Sequence, residues 1–156
     1  MKIIKRMFLI LVAFLIVLPI IFYVGIVVMN NSIADRIEKD LIAYQLPQNT
    51  ELVDSISIAG RLTGNGNGMQ YMGAILVDSD LSEDALKKHY SSKFDYIEVI
   101  KQEKPNMDFI YSKNYSFNDF DAANNVYYSV ICFDDDRREK YGDFISNLLD
   151  FDIRGH

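Results

Sequence analysis

The chain has 156 residues, a single cysteine and a formal net charge of −6, which is length for one globular domain beside an anchor and not for two. All 22 acidic residues follow Asn30 but only 13 of the 16 basic ones do, so the part beyond Asn30 carries nine net negative charges. That balance argues against nucleic acid as a partner, and the lone Cys132 excludes an intrachain disulfide or a four-cysteine zinc site.

Residues 7–29, MFLILVAFLIVLPIIFYVGIVVM, contain no charge. At about 1.5 Å per residue such a helix reaches roughly 34 Å, against a hydrocarbon core of about 30 Å. Pro19 and Gly25 are tolerated in a spanning helix, where neighbouring groups re-satisfy the backbone. The pattern predicts a basic start over 1–6 and a transmembrane helix over 7–29. A cleaved signal is the competing reading, since Ser32-Ile33-Ala34 offers a peptidase small residues, but the run exceeds the roughly 7–15 apolar residues of a signal. Lys2, Lys5 and Arg6 crowd one flank, while Arg36 and Lys39 share the other with Asp35, Glu38 and Asp40. The positive-inside rule then puts the N-terminus in the cytoplasm and the C-terminal domain outside. A pilin plan fits less well, because Arg6-Met7-Phe8-Leu9-Ile10 lacks the Gly and Glu of a prepilin cleavage motif.

Residues 30–45 read as a juxtamembrane helical stalk. Ile33, Ile37, Leu41 and Tyr44 mark one face, and Ser32 with Asp35 resembles a capping box. The stripe is expected to pack on its own domain, with pairing to a second copy as the alternative. Pro47 ends the helix. The domain proper is then 46–156.

Within it, 51–62 alternates as a half-buried strand with Leu52, Ile56, Ile58 and Leu62 on one side. Gly64-Asn65-Gly66-Asn67-Gly68 signals a turn. Residues 69–77 are apolar on both faces, which predicts a central strand. Residues 82–94 read as a helix with Ser82 as N-cap, Leu81 and Leu86 as a staple, and Leu86, Tyr90 and Phe94 as the buried stripe. Strands are predicted over 96–101, 107–111 and 126–133, the last also central, with a loop or hairpin arm over 113–124 and a closing helix over 136–149. The order β-β-α-β-β-β-α predicts an α+β fold: a small antiparallel sheet with helices packed on one face.

No motif for a cofactor is present. The Gly64–Gly68 segment could cradle an anion on its backbone N–H groups, but Met69 replaces the third glycine of a dinucleotide motif and the segment joins two strands, so a hairpin loop needing positive φ is the simpler reading. Asp134, Asp135 and Asp136 are weak metal candidates for Ca²⁺ without EF-hand spacing; otherwise Asp136, with Glu139, caps the closing helix. His89 reads as a surface residue and Cys132 as a small buried hydrophobe. Nine of the ten tyrosines follow Asn30, a composition that suits a sugar or peptide surface but that packing also explains.

Leu46-Pro47, the run Gly64-Asn65-Gly66-Asn67-Gly68-Met69-Gln70-Tyr71, and Leu81-Ser82 carry a resemblance, over 46–90, to a group of uncharacterised single-pass membrane proteins of Gram-positive anaerobes. The resemblance implies a bacterial envelope location and brings no activity with it. The functional expectation is therefore a membrane-anchored extracytoplasmic binding or interaction module, held in the lipid bilayer through 7–29 and contacting a membrane or envelope protein without chemistry. The alternatives are a small enzyme whose carboxylates, drawn from Asp78, Asp80 and Asp134, meet only in the fold, and a structural or assembly subunit using the stalk.

Overall fold

A computed structural model describes residues 2–63, 68–108, 110, 115–121, 126–133 and 135–155. Helix α1 (Lys2–Ala43) is unbroken over 42 residues, about 63 Å at ~1.5 Å per residue. It passes through two regimes. From Ile3 to Val24 large apolar side chains stand exposed all round the helix, the composition of a segment long and apolar enough to cross a membrane. From Ile26 onward a single stripe, Ile26, Asn30, Ile33, Ala34, Ile37 and Leu41, is buried, and its spacing of three and four is that of one helix face.

The stalk expected over 30–45 is thus the second half of one continuous helix, and its stripe belongs to the core of its own domain. Ser32 caps nothing there, because no helix begins at that point; its Oγ accepts a bond from the Arg36 guanidinium at 3.3 Å. The helix stops at Ala43, ahead of Pro47.

Four strands follow: β1 (Thr50–Gly60), β2 (Gln70–Ser79), β3 (Ile97–Gln102) and β4 (Tyr127–Phe133). They form one antiparallel sheet in the order β1-β2-β4-β3. The two strands with apolar residues on both faces are the two central ones, as covering on both sides demands. Helix α2 (Glu83–Tyr90) is capped by Ser82, whose side chain accepts from the Ala85 N–H. A 3-10 turn (Asp135–Tyr141), helix α3 (Asp143–Leu149) and a last 3-10 turn (Ile153–Gly155) close the chain.

All the helices lie on one sheet face, where Ile33, Ile37, Leu41, Leu86, Tyr90 and Leu149 meet Tyr71, Ile75, Val77, Val99 and Val130. The opposite face is covered by Met107, Ile110 and Phe117 packed on Met72, Leu76 and Ile131. The strand expected over 107–111 is therefore not seen among the described residues. Its neighbourhood makes one bridge, Asn106 to Ser116, and the Met107 and Phe117 N–H groups bond to Tyr115 and Pro105. Apolar side chains that look like a strand in sequence instead pin a loop across the sheet. A register shift in β1 between Leu52 and Asp54 leaves Leu52 exposed and accompanies a contact in which the Asp54 carboxylate accepts from the Asn118 N–H at 2.6 Å.

The closing helix also differs from its expected span of 136–149. Gly142, at φ +78, separates a 3-10 turn from α3 and provides no side-chain cap. Asp136, seven residues before α3 begins, does not cap it.

The tightest contact in the fold is between α1 and β2. A Cβ on Gly73 would lie 2.7 Å from Cα of Glu38 and 2.8 Å from the carbonyl carbon of Ile37. Beside it, the polar side of β1 turns to the polar side of α1: Ser57 donates to Asp35 and Ser55 to Glu38, each at 2.5 Å. Replacing Gly73 by Val should force the helix off the sheet and cost about 1–3 kcal/mol in denaturant unfolding of the full chain in detergent. Gly25→Ala, with open space at its Cβ, should leave the same midpoint unchanged; equal midpoints for both variants would contradict the close approach.

Candidate functional site

Most of the residues singled out in the sequence as candidate sites lie outside the described residues. Gly64, Asn65, Gly66 and Asn67 lie outside the described residues. Gly68, at φ +142, donates its N–H to the Gly155 carbonyl at 2.8 Å. Gly155 in turn packs so closely that a Cβ there would fall 2.9 Å from Met69 Sδ. The end of the glycine-rich segment is thus held against the C-terminal turn. Asp134 and the side chains of Asp135 and Asp136 also lie outside the described residues. Among those described, no group of three His, Cys, Asp or Glu side chains converges as a metal site requires. Asp78 pairs with Tyr127 at the start of β4, whereas β4 ends at Phe133 opposite Met72. Asp78 therefore stands at the end of the ladder opposite to Phe133.

His89 is half-buried rather than on the open surface, with Nε2 2.8 Å from the Gln45 carbonyl and its ring between Tyr44 and Tyr90. It ties α2 to the end of α1. Burial, then the neighbouring Tyr44, push the Tyr90 hydroxyl up to about 12, so it stays protonated at neutral pH. That hydroxyl has no hydrogen-bond partner among the described residues. Cys132 is buried in β4, as its alternation suggested.

A cleft of ligand-site size lies between the end of α1, β4 and the first 3-10 turn. It encloses about 590 Å³ at the end of the domain farthest from the apolar half of α1, within the several-hundred Å³ usual for small-ligand pockets. Four separate stretches build it: Asp40 from α1 with Tyr44 just beyond its end, Lys93 to Tyr96 after α2, Cys132 and Phe133 from β4, and Arg137 with Lys140 from the 3-10 turn. Tyr44 meets Phe94 edge-on at 5.7 Å between ring centroids, and its hydroxyl is bonded to Ser92 Oγ at 2.9 Å, which fixes the aromatic wall. Asp40 is paired with Arg137 at 2.8 Å. Three cations against two carboxylates line the cleft, so it is a locally basic spot on an acidic domain. Aromatic surface with adjacent cations suits a ligand that has an apolar body and an anionic group.

A second polar assembly lies at the opposite end, and sequence reading passed over it. Asn30 and Asp152 are both 0% exposed. The Asn30 side-chain amide donates to the Leu149 carbonyl at 3.1 Å and to Asp152 at 3.0 Å, while its oxygen accepts from the Tyr71 hydroxyl at 2.7 Å. Arg154 pairs with Asp152 at 2.6 Å and reaches Asn31 at 2.8 Å. Burial pushes the Asp152 carboxyl up, but the bonds from Arg154 and Asn30 outweigh it and hold it below the usual carboxylate value. The same pairing raises the Arg154 guanidinium. The assembly has the marks of a structural latch: satisfied bonds and matched charge.

No family model, curated protein or solved structure matches this chain. The residues alone therefore carry any functional reading.

Because the folded Asp152 carboxyl titrates below its unfolded value of about 3.9, its contribution to stability is complete above that pH and is lost as pH falls through the lower folded value. The protection factors of the segment 149–155, exchange being corrected for its intrinsic pH dependence, should fall on acidification of the wild type. Asp152→Asn should exchange fast already at neutral pH and show little further change, with a loss of about 2–4 kcal/mol of local protection. Protection that is the same in both proteins at neutral pH would contradict the latch.

Proposed function

We propose that the chain is a single-pass membrane-anchored binding module, with its N-terminus in the cytoplasm and its domain on the outer side, and that it engages a membrane or envelope protein through the distal cleft. The observation that carries this reading is the continuity of α1: one helix runs from an all-round apolar half into the core of the domain, so anchor and domain are a single rigid unit. The buried state of Ile33 and Ala34 supports an uncleaved chain, since processing after Ala34 would remove two core side chains together with Asn30. The cleft opens at the far end from the anchor, where a second protein has access. Its ligand chemistry is an aromatic or apolar side chain beside a carboxylate, which Tyr96, Lys93 and Lys140 would receive. The stalk stripe is used by the chain's own domain, which weakens the assembly-subunit alternative.

Protease added to intact protoplasts should digest the domain and spare 1–29; full protection would reverse the topology. A photocrosslinking residue at position 96 should yield a discrete adduct in cells, and the same residue at position 98, on the outer strand away from the cleft, should not. The double variant Lys93→Glu/Lys140→Glu should abolish the adduct. An adduct at 98 equal to that at 96, or one indifferent to the charge reversal, would remove the cleft as the binding site.

A further inference from the structure

The final segment of the chain descends along α1 toward its apolar half. Arg137 pairs with Asp40, Tyr141 lies under the Arg36 guanidinium at 5.8 Å, and the Leu149 carbonyl and Asp152 bond to Asn30. The chain then turns back, because Arg154 bonds to Asn31 and the Arg154 carbonyl accepts from the Arg61 N–H of the sheet at 2.7 Å. The turn 150–153 therefore lies beside the end of the charge-free run, at Met29. The cover over α1 reaches inside that run: Ile26, one helical turn before Asn30, is 5% exposed.

At this turn the usual arrangement of polar and apolar residues is inverted. Asp152 points inward and is fully buried, whereas its neighbours Phe151 and Ile153 are 66% and 72% exposed. In water an exposed Phe and Ile beside a buried carboxylate is the wrong way round, and single exposed apolar residues would need no comment. Here the inversion falls beside the end of the only segment long and apolar enough to cross a membrane among the described residues. Phe144, also exposed, lies two turns back along α3 toward the Tyr141 level and is not part of it.

We infer that Phe151 and Ile153 insert into the bilayer interface, so that the domain touches lipid at a second point beside its anchor. This rests on the anchored reading above. The latch supplies the geometry: Asn30, Asp152 and Arg154 hold the turn at the level where α1 leaves the membrane, with its two apolar side chains directed outward. Burying apolar area at about 25 cal/mol per Å² rewards that insertion, and because these side chains are uncharged it needs no anionic headgroup. The acidic domain would otherwise be repelled by an anionic surface. Two contact points would also fix the tilt of the domain, and with it the direction in which the distal cleft faces.

The chain has no tryptophan, so single replacements report position without background. Full-length variants Phe151→Trp, Ile153→Trp, Phe14→Trp and Tyr96→Trp would be reconstituted into phosphatidylcholine vesicles with and without bromine on the acyl chains. Either orientation in the vesicle serves. Phe14→Trp should be quenched from within the span, and Tyr96→Trp, beside the distal cleft, should not. Phe151→Trp and Ile153→Trp should show blue-shifted emission and lose most of it when bromine is placed near the headgroup, less when it is placed deep. If Phe14→Trp is quenched but both turn variants behave like Tyr96→Trp, the second contact is wrong and the anchor stands. If Phe14→Trp is not quenched, the anchored reading itself fails and this inference with it.

Discussion

One helix carries two kinds of surface, apolar all round in its first half and apolar on one stripe in its second, and the packing of the domain is built on the second. An α-helix closes its backbone hydrogen bonds within itself, so it can pass from a nonpolar medium into a protein core without leaving an unsatisfied group. What changes along α1 is the side chains alone: apolar on every side up to Val24, then apolar on one stripe with Asp35, Arg36, Glu38 and Lys39 on the others. The sheet accepts that stripe because Gly73 lets the helix backbone come within contact distance of β2. Ser55 and Ser57 take up the carboxylates that would otherwise face apolar strand.

The boundary between the two regimes is marked by Asn30. It is a polar side chain on a buried helix face, and burial without partners would cost on the order of 1–3 kcal/mol. It finds three, from β2 and from the C-terminal turn. In doing so it fastens the last residues of the chain to the point where the all-round apolar half of α1 gives way to the buried stripe. The buried Asp152 is kept charged by Arg154 and by Asn30 itself, so the latch is a closed polar network in which each group's presence depends on the others.

The two ends of the domain have different characters as a result. The end beside the apolar half of α1 is tied together by the Asn30–Asp152–Arg154 network, with Phe151 and Ile153 exposed beside it. The distal end, where α1 stops at Ala43, leaves a gap between the last turn of α1, the turn after α2 and the end of β4, and the cleft is that gap. Its walls are fixed by aromatic contacts to Tyr44 and by the Asp40–Arg137 pair, which makes it a preformed concavity rather than a collapsed one. Its three cations stand against the overall negative charge of the chain.

The sequence by itself determined whatever depends on near neighbours. The uncharged run over 7–29, the stripe Ile33, Ile37 and Leu41, the double-sided apolar strands around Tyr71–Val77 and Val130, and the Ser82 cap are all patterns with a period of two or 3.6 residues, and periodicity is read directly from order along the chain. The α+β class with helices on one face followed from them. Tertiary structure decided everything that needed residues far apart to meet. Met107 and Ile110 belong to a stretch that resembles a strand, but in the fold both cover a sheet face built by other strands. Asp136 looked like a cap until Gly142 divided the last helix. The distal cleft draws its lining from four stretches between Asp40 and Lys140, and Asn30 meets Asp152 across 122 positions. No local pattern encodes such a meeting, because its free energy exists only once the chain has closed on itself.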